Sequence, residues 1–431
     1  MNHKTVLRFV ALVFVFALLG TALAQDPVEI LYWDQVSSDE AQAVIDTIIA
    51  NFEEAHPNIK ITREVYTLEQ LTDIARTSIE AGEGPDILYY DSGPAYGGIL
   101  GNAGLLLSLE EAYATYNWDE RLVSVSRDWT TYGGTVYGVG HEFEAQGFYW
   151  NKRIFADEGL EVPSTFEEMV ALCGTFRELG YDPPMAAGWA DWGGFPISHN
   201  WYNVLANSVP SDKVAAAISG EYPFNSPDIV ASLDLVVELV EAGCYDEQGA
   251  ATSFLDGNAK FYTGQAPMML MSTWAMQFFT DEITDEFGFM ILPPIEGGEQ
   301  TMIQLMGAVW YIIGDTEHPE ETLTFLNYLV SDEAHPLWVE GAKLLPGVTG
   351  VDFSGYDVRP VYRDFLNLVS GWDGPVGYHL DVLTPANFNT TLFESTVELA
   401  AGRLTPQEVA DRITVERERA VEDGSHADIT G

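Results

Sequence analysis

Aromatic rings and carboxylates in predicted loops are the residue types in this chain best suited to hold a ligand. The sequence contains 11 tryptophans, 20 tyrosines and 66 aspartates and glutamates. A flat aromatic ring can pack against an apolar face of a ligand, and carboxylates and amides can bond to its polar groups. Aromatic and polar residues at the ends of predicted strands or in predicted loops are Trp33, Asp34, Gln35, Asp91, Ser92, Trp189, Asp191, Trp192 and Trp372.

Motifs that mark catalysis are missing from the sequence. It has no GxSxG, HExxH, GxGxxG or phosphate-binding loop. Its eight histidines show no metal-ligand spacing, and it has neither a CxxC nor a Cys/His cluster. We therefore expect no metal and no other cofactor. Glycosidases use aromatic residues and carboxylates to bind and cleave their substrates. A secreted glycoside hydrolase is therefore one function that the residues leave open.

The first 24 residues have the pattern of a secretory signal peptide. Lys4 and Arg8 are positive, residues 9–19 are almost wholly apolar, and Ala22-Leu23-Ala24 has the small-x-small form of a cleavage site. The apolar run is short for a membrane span, and an uncleaved anchor helix is the alternative. Gln25 stands where a lipoprotein would carry cysteine. We expect a soluble mature chain in the periplasm or outside the cell.

The net charge disfavours some classes of binding partner, and the two cysteines predict a disulfide. The formal net charge of −47 repels nucleic acid and anionic membranes, and solubility or adaptation to salt accounts for it. The two cysteines, Cys173 and Cys244, predict one disulfide in an exported chain. Closing a loop of about 70 residues would contribute roughly 4 kcal/mol to stability.

The start of the mature chain alternates strands with helices. Strands are predicted at 28–33, 59–65 and 85–90, and helices at 39–56 and 68–81. This order predicts a parallel sheet with helices on both faces. Ligands meet such a sheet at the carboxyl ends of its strands. The loops at 34–37 and 91–94 therefore become candidate ligand contacts.

The rest of the chain mixes strands and helices without repeats, and composition reveals no domain boundary. Residues 185–202 are rich in Gly and Trp and predict a loop followed by a helix. Further strands are predicted at 137–140, 147–150, 267–271, 287–292 and 306–313. Further helices are predicted at 151–158, 165–179 (capped by Ser164), 227–241, 253–261, 319–330, 332–341, 385–401 and 406–422.

Several short motifs follow one another along the chain in an order that is typical of one protein family. They include Gly84-Pro85-Asp86-Ile87, Tyr149-Trp150-Asn151-Lys152, Gly264-Gln265-Ala266-Pro267-Met268, Ser272-Thr273-Trp274 and His318-Pro319-Glu320. In this order and spacing the chain resembles the extracellular solute-binding proteins of carbohydrate ABC importers, the family of maltose-binding protein. The resemblance runs from Ile30 to about Gly350 and thins towards the C-terminus.

The resemblance implies an α/β, two-lobed periplasmic-binding-protein fold, in which each lobe is a sheet flanked by helices. A hinge joins the lobes, and they close around the ligand. The first lobe would comprise residues 25–142 and 303–346, and the second residues 143–302 and 347–431.

The resemblance also implies ligand contacts. Trp274 matches the stacking tryptophan of the family, and Glu144 matches its cleft glutamate. Tyr90, Asp91 and Ser92 follow the Pro-Asp strand where the family places sugar contacts, although Tyr90 replaces a tryptophan of maltose-binding protein. Gly307 would let the backbone approach the ligand. To these we add, from loop position, Asp34, Gln35, Trp189, Trp192 and Trp372.

We therefore expect an exported, monomeric binding protein with no catalytic activity. It would capture a mono- or oligosaccharide and deliver it to the membrane permease of an ABC importer. Two alternatives stay open: a secreted glycoside hydrolase, and the same fold binding a non-sugar solute such as a polyamine.

Overall fold

The structure is a computed structural model that describes residues 27–35, 38–140, 142–191, 194–280 and 282–425. The predicted signal peptide and Trp192 lie outside these ranges. In the described ranges, no helix has the length and apolar character needed to cross a bilayer.

The strands build two main sheets and one short hairpin. In chain order they are β1 (Val28–Asp34), β2 (Ile59–Val65), β3 (Ile87–Asp91), β4 (Thr131–Tyr132), β5 (Thr135–Val136), β6 (Gly138–Gly140), β7 (Phe143–Asn151), β8 (Met185–Ala186), β9 (Met268–Ser272), β10 (Phe287–Met290), β11 (Met302–Met306), β12 (Ala308–Ile312) and β13 (Val376–Gly377).

The helices flank both sheets. They are α1 (Asp39–Ala55), α2 (Leu68–Glu80), α3 (Gly97–Asn102), α4 (Glu110–Tyr116), α5 (Trp118–Arg121), α6 (Ser124–Asp128), α7 (Lys152–Glu158), α8 (Phe166–Leu179), α9 (Phe195–Ser208), α10 (Ser211–Ile218), α11 (Pro227–Glu241), α12 (Phe254–Tyr262), α13 (Pro319–Leu329), α14 (Pro360–Gly371), α15 (Leu380–Leu383), α16 (Ala386–Ala400) and α17 (Pro406–Asp423). Short 3₁₀ turns cover Gly249–Ala251, Thr273–Phe278 and Phe353–Gly355, and Leu337–Ala342 is a π-helical turn.

The first sheet has the strand order β2-β1-β3-β12-β6. Its first three strands are parallel, as the β-α-β-α-β order predicts, and β12 runs antiparallel to both of its neighbours. Tyr32, Tyr89 and Trp310 pack on the face that α1 and α13 cover. Leu88 and Tyr311 pack on the other face, towards α2. The α/β fold class is confirmed.

The second sheet has the order β13-β11-β7-β9-β8, and β10 also pairs with β7. The long strand β7 is antiparallel to β9, β10 and β11. Our single predicted strand at 306–313 is therefore wrong. The run is interrupted at Gly307, with β11 in the second sheet and β12 in the first. Residues 304–306 pair with β7 and Ile303 pairs with Gly377 of β13, so residues 303–306 lie in the second sheet.

Helix starts follow local capping chemistry. Ser38 begins α1 by accepting a hydrogen bond from the Ala41 N–H, and Thr67 begins α2 with a capping box. The predicted N-cap Ser164 is wrong by one residue, because Thr165 accepts from the Glu168 N–H. Ser164 instead donates its N–H and hydroxyl to the Glu168 carboxylate.

A disulfide joins α8 to the segment that follows α11. Cys173 and Cys244 are bonded, with Cα atoms 4.9 Å apart and a sequence separation of 71. The bond lies in a buried cluster on the side of the second sheet that also contains Phe148 and Phe176.

Candidate functional site

In the described part of the chain, three segments that connect the two sheets lie side by side. One leads from β6 to β7 through Glu142, and another leads from β11 to β12 through Gly307. The Gly307 N–H donates to the Glu142 carbonyl at 3.2 Å. The third passes Leu345, whose carbonyl accepts from the Phe143 N–H at 2.9 Å. Hydrogen bonds between the connections thus hold the region between the sheets together.

Ser92, at the carboxyl end of β3, is tied to the second of these connections. Its hydroxyl donates to the Met306 carbonyl at 2.7 Å, and its N–H donates to the Gly307 carbonyl at 3.1 Å. The loop after β3 therefore meets the point where the chain passes from one sheet to the other.

Two buried glutamates lie at the start of β7. The Ser272 hydroxyl donates to the Glu144 carboxylate, and the Tyr89 hydroxyl donates to Glu142 Oε2 at 3.2 Å. Burial raises the pKa of Glu144 well above its ordinary value, and the charge of Glu142 raises it further. Burial also raises the pKa of Glu142. Carboxyls with raised pKa retain protons closer to neutral pH, so they can donate hydrogen bonds as well as accept them.

Asp91 ends β3 and faces the same region. Gln35, at the end of β1, donates its amide to Asp91 Oδ1 at 2.6 Å. Burial raises the pKa of Asp91 to about 6; the Gln35 hydrogen bond lowers it and the charge of Asp381 raises it. Gly93, in the loop that follows Asp91, packs against the Val382 carbonyl on α15, so the end of the first sheet lies close to this helix.

Trp274 lies in the 3₁₀ turn that follows β9, and its ring stacks on Phe254 with centroids 5.4 Å apart. It lines a narrow cleft together with Glu142, Glu144 and Tyr362. Trp274 is only partly buried. An aromatic face is therefore present beside two carboxyls and a phenol.

Two histidines and an aspartate form a second polar group, on the side of the second sheet. His199 Nε2, on α9, lies 3.4 Å from Asp381 Oδ2, and His379 Nδ1 contacts Asp381 Oδ1. The two imidazole rings meet edge to face, with centroids 4.6 Å apart. All three side chains are buried.

Several buried polar atoms in this region have no hydrogen-bond partner among the described residues. They are Gln35 Oε1, Glu142 Oε1, both amide atoms of Gln146, Tyr202 OH, Tyr362 OH and His379 Nε2. Burial raises the pKa of Tyr362 and of Tyr202 well above the ordinary value, and the charges of Glu142 and Asp381, respectively, raise it further. Buried polar groups in folded proteins are nearly always paired, so such a cluster indicates a binding site.

Residues 47–355 match the family described as bacterial extracellular solute-binding protein. The chain belongs to this family. Its fold is therefore the two-lobed one that the sequence motifs imply, with one sheet in each lobe and the buried polar cluster between them.

Sequence relatives and solved structures agree with this assignment. An uncharacterized ABC transporter extracellular-binding protein of Pyrococcus horikoshii is 25% identical over 300 residues, which cover 69% of this chain and 67% of that protein. The sn-glycerol-3-phosphate-binding periplasmic protein of Yersinia pestis is 23% identical over 361 residues, covering 79% of each chain. The structure of a chitin oligosaccharide binding protein superposes with a TM-score of 0.82 at 20% identity, covering 92% of this chain and 99% of that one.

In this solute-binding protein, the structure brings six of the predicted ligand residues together. They surround the connections between the sheets and comprise Gln35, Asp91, Ser92, Glu144, Trp274 and Gly307. The absence of a side chain at Gly307 also makes room for Glu144, because a Cβ at position 307 would lie 2.1 Å from Glu144 Oε1.

The structure does not bring the other predicted residues to this cluster. The carboxylate of Asp34 is paired with Arg63 at 2.7 Å, and Tyr90 donates to Thr72 at 3.2 Å. Trp189 packs against Tyr245 in the buried core of the second lobe. The remaining loop tryptophan, Trp372, donates its indole N–H to the Pro375 carbonyl at 3.0 Å.

Other residues of the cluster are missing from the sequence prediction. They are Glu142, His199, Tyr202, Tyr362, His379 and Asp381. A usable signal exists for one of them: Glu142 immediately precedes β7 and stands at alternate positions with Glu144 and Gln146, which share one face of the strand. His199 and Asp381 are 182 residues apart, and no local spacing could have joined them.

Proposed function

We propose that this solute-binding protein captures a neutral carbohydrate between its lobes and delivers it to the permease of an ABC importer. The observation that carries the proposal is the pairing of an aromatic face with unpartnered buried polar atoms, since Glu142 Oε1 and Tyr362 OH line the same cleft as Trp274. A sugar supplies hydroxyls for such atoms and a C–H face for the ring. Each unsatisfied buried group costs about 1–3 kcal/mol, and a ligand that pairs it recovers that free energy.

The chemistry of the cluster favours a neutral solute over an anion. Asp91, Glu142 and Glu144 are buried carboxyls with raised pKa, which suits them to exchange hydrogen bonds with hydroxyls. Lys343 is the cation among the described residues that line the cleft, and its ammonium donates to the Glu340 carbonyl. The Yersinia pestis relative is named for a phosphate ester. We infer a different ligand here, because a phosphate would face carboxyls. The chitin oligosaccharide binding protein supports a saccharide.

A polyamine is the second candidate. Besides burial, the charges of Glu142, Asp91 and Asp381 raise the pKa of Glu144, so four carboxyls lie within electrostatic reach of one another. A cationic amine would be attracted to this cluster and would keep the carboxyls ionised. The two candidates differ in the pH at which they bind. Protonated carboxyls still form hydrogen bonds with the hydroxyls of a sugar, but they no longer attract the positive charge of an amine.

The proposed contacts are specific. Trp274 stacks on the sugar, while Glu144, Asp91 and Gln35 bond to its hydroxyls. Ser92 and Gly307 position the backbone between the lobes. Trp192 stays a prediction from the sequence.

We place the hinge at the side-by-side connections. The first lobe then comprises residues 25–142 and 307–346, and the second comprises residues 143–306 and 347–431. The lobes rotate about these connections and close on the solute, which favours the closed state because it contacts both lobes only there. The exported chain acts as a monomer without catalysis and uses the permease as its partner.

A thermal-shift screen of the mature chain tests the proposal. The panel contains neutral mono- and oligosaccharides, spermidine and glycerol 3-phosphate. We expect a neutral saccharide to raise the melting temperature at pH 5.5 and pH 7.5, and product analysis to find the saccharide intact. Stabilisation by spermidine alone, or by glycerol 3-phosphate alone, would overturn the carbohydrate assignment. Cleavage of a saccharide would support the glycoside hydrolase instead.

A further inference from the structure

The histidine–aspartate group has donor atoms that converge. One ligand atom from each of His199, His379 and Asp381 lies within 4.8 Å of the other two. Each side chain is nine-tenths buried or more. We propose that these three residues form a binding site for a first-row transition-metal dication, for which Zn²⁺ is the suitable probe. This inference does not rest on the proposed carbohydrate function.

The donor set matches the chemistry of such cations. Zn²⁺ prefers imidazole nitrogens at about 2.0–2.1 Å and carboxylate oxygens at about 2.0–2.2 Å, and three protein ligands leave a fourth position open. Two imidazoles and one carboxylate are a set that Zn²⁺, Ni²⁺ and Cu²⁺ bind more readily than Mg²⁺ or Ca²⁺ do. Small side-chain rotations would bring donors that already lie within 4.8 Å onto one ion.

The pairs within the group leave part of it unsatisfied. Asp381 pairs with both imidazoles, through His199 Nε2 and His379 Nδ1, but His379 Nε2 has no hydrogen-bond partner among the described residues. The hydroxyl of Tyr202 is also unpartnered, and its ring lies 5.0 Å from the His379 ring. A purely structural triad would be expected to pair these buried atoms.

The backbone that carries the ligands is fixed. Asn389, on α16, donates its side-chain amide to the Asp381 carbonyl at 2.6 Å, and the Thr384 hydroxyl donates to the Leu380 carbonyl at 2.7 Å. His199 lies within α9, a helix of 14 residues. Ligands on such held elements lose little conformational freedom when they bind an ion.

The group also faces the first lobe. Gly93, two residues after Asp91, is packed so closely against the Val382 carbonyl that a Cβ would lie 1.4 Å from that oxygen. We infer that the fourth ligand, a water or a hydroxyl of the solute, approaches from the side of Asp91.

Calorimetric titration of the chelator-treated mature chain with ZnCl₂, without any solute, tests the site. We expect one Zn²⁺ per chain, and an affinity at least about 100-fold weaker in His379→Gln and in Asp381→Asn, because loss of even an outer-shell partner costs 10- to 100-fold. His335→Gln removes a buried histidine elsewhere and should bind Zn²⁺ like the unaltered chain. Circular dichroism of each variant checks the fold.

Three results would overturn the site. They are the absence of a one-to-one Zn²⁺ isotherm, an equal effect of His335→Gln, and unchanged Zn²⁺ affinity in the double variant His199→Gln, His379→Gln. A chain that binds a saccharide but no Zn²⁺, and loses saccharide affinity in His379→Gln, would assign the histidines to the solute itself. Because Zn²⁺ is titrated alone, a failure of the carbohydrate proposal leaves this measurement unaffected.

Discussion

Replacing Gly307 by alanine tests whether Glu144 is held in place by the connection between the lobes. The new Cβ would lie 2.1 Å from Glu144 Oε1 and 3.3 Å from its Cδ, and it would meet no other atom within 4 Å. The carboxyl would have to move by about 1 Å to restore a normal contact, which would break its hydrogen bond from Ser272. Leaving this buried group unsatisfied costs about 1–3 kcal/mol. The lower entropy of the unfolded chain offsets about 0.4–1 kcal/mol, since Gly307 does not have a positive φ.

A double-mutant cycle isolates this contact. Urea unfolding would be measured for the unaltered chain, Gly307→Ala, Glu144→Ala and the double variant. We expect Gly307→Ala to lower the free energy of unfolding by about 1–2 kcal/mol in the unaltered background, and to have no destabilising effect once Glu144 is shortened. An equal cost in both backgrounds, or no cost in either, would refute the argument that the glycine accommodates the glutamate.

Three further predictions follow from buried groups. The folded-state pKa of Asp91, about 6, exceeds its ordinary value of 3.8, so the folded chain holds more protons in that window and stability falls as pH rises through it. Asp91→Asn should remove this pH-dependent part of the free energy of unfolding, which amounts to about 1.4 kcal/mol per pKa unit. Urea unfolding at pH 4, 5, 6 and 7 measures it, and a pH profile parallel to that of the unaltered chain would contradict the prediction. Replacing Cys173 and Cys244 by serine should cost roughly 4 kcal/mol, because the bond closes a loop of 71 residues; free thiols in the unreduced chain, seen by mass spectrometry, would contradict the bond. Trp189→Phe should lower the melting temperature but leave solute affinity unchanged, since Trp189 packs against Tyr245; a weaker affinity with an unchanged melting temperature would place it in the cleft.

The parallel start of the first sheet was predictable because it depends on local patterns. Apolar runs, a serine or threonine N-cap and a short turn recur within about 60 residues, and the structure has them at β1 to β3. The passage of the chain between the sheets was not predictable in this way. Residues 306–313 form one apolar run, and nothing in its composition shows that Gly307 divides it between two sheets.

The same distinction applies to the candidate site. Contacts set by neighbouring strands were predictable, and contacts between distant elements were not. Asp91 and Gln35 were predictable because parallel strands bring their carboxyl ends together. Asp34 precedes Gln35 by one residue, yet it points to the other face and pairs with Arg63 on β2. The histidine–aspartate group depends on contacts between α9 and α15, which only the tertiary structure supplies. Loop position also did not reveal which tryptophans pack in a core, as Trp189 does.

The most direct test of the central claim is a calorimetric titration with the saccharide that most stabilises the chain. We expect one saccharide per chain, and a loss of about 1–3 kcal/mol of binding free energy in Trp274→Ala. Trp372→Ala, the matched loss of a tryptophan outside the cleft, should bind like the unaltered chain. Full affinity in a folded Trp274→Ala variant, or no neutral saccharide bound at all, would contradict capture of a carbohydrate against this ring.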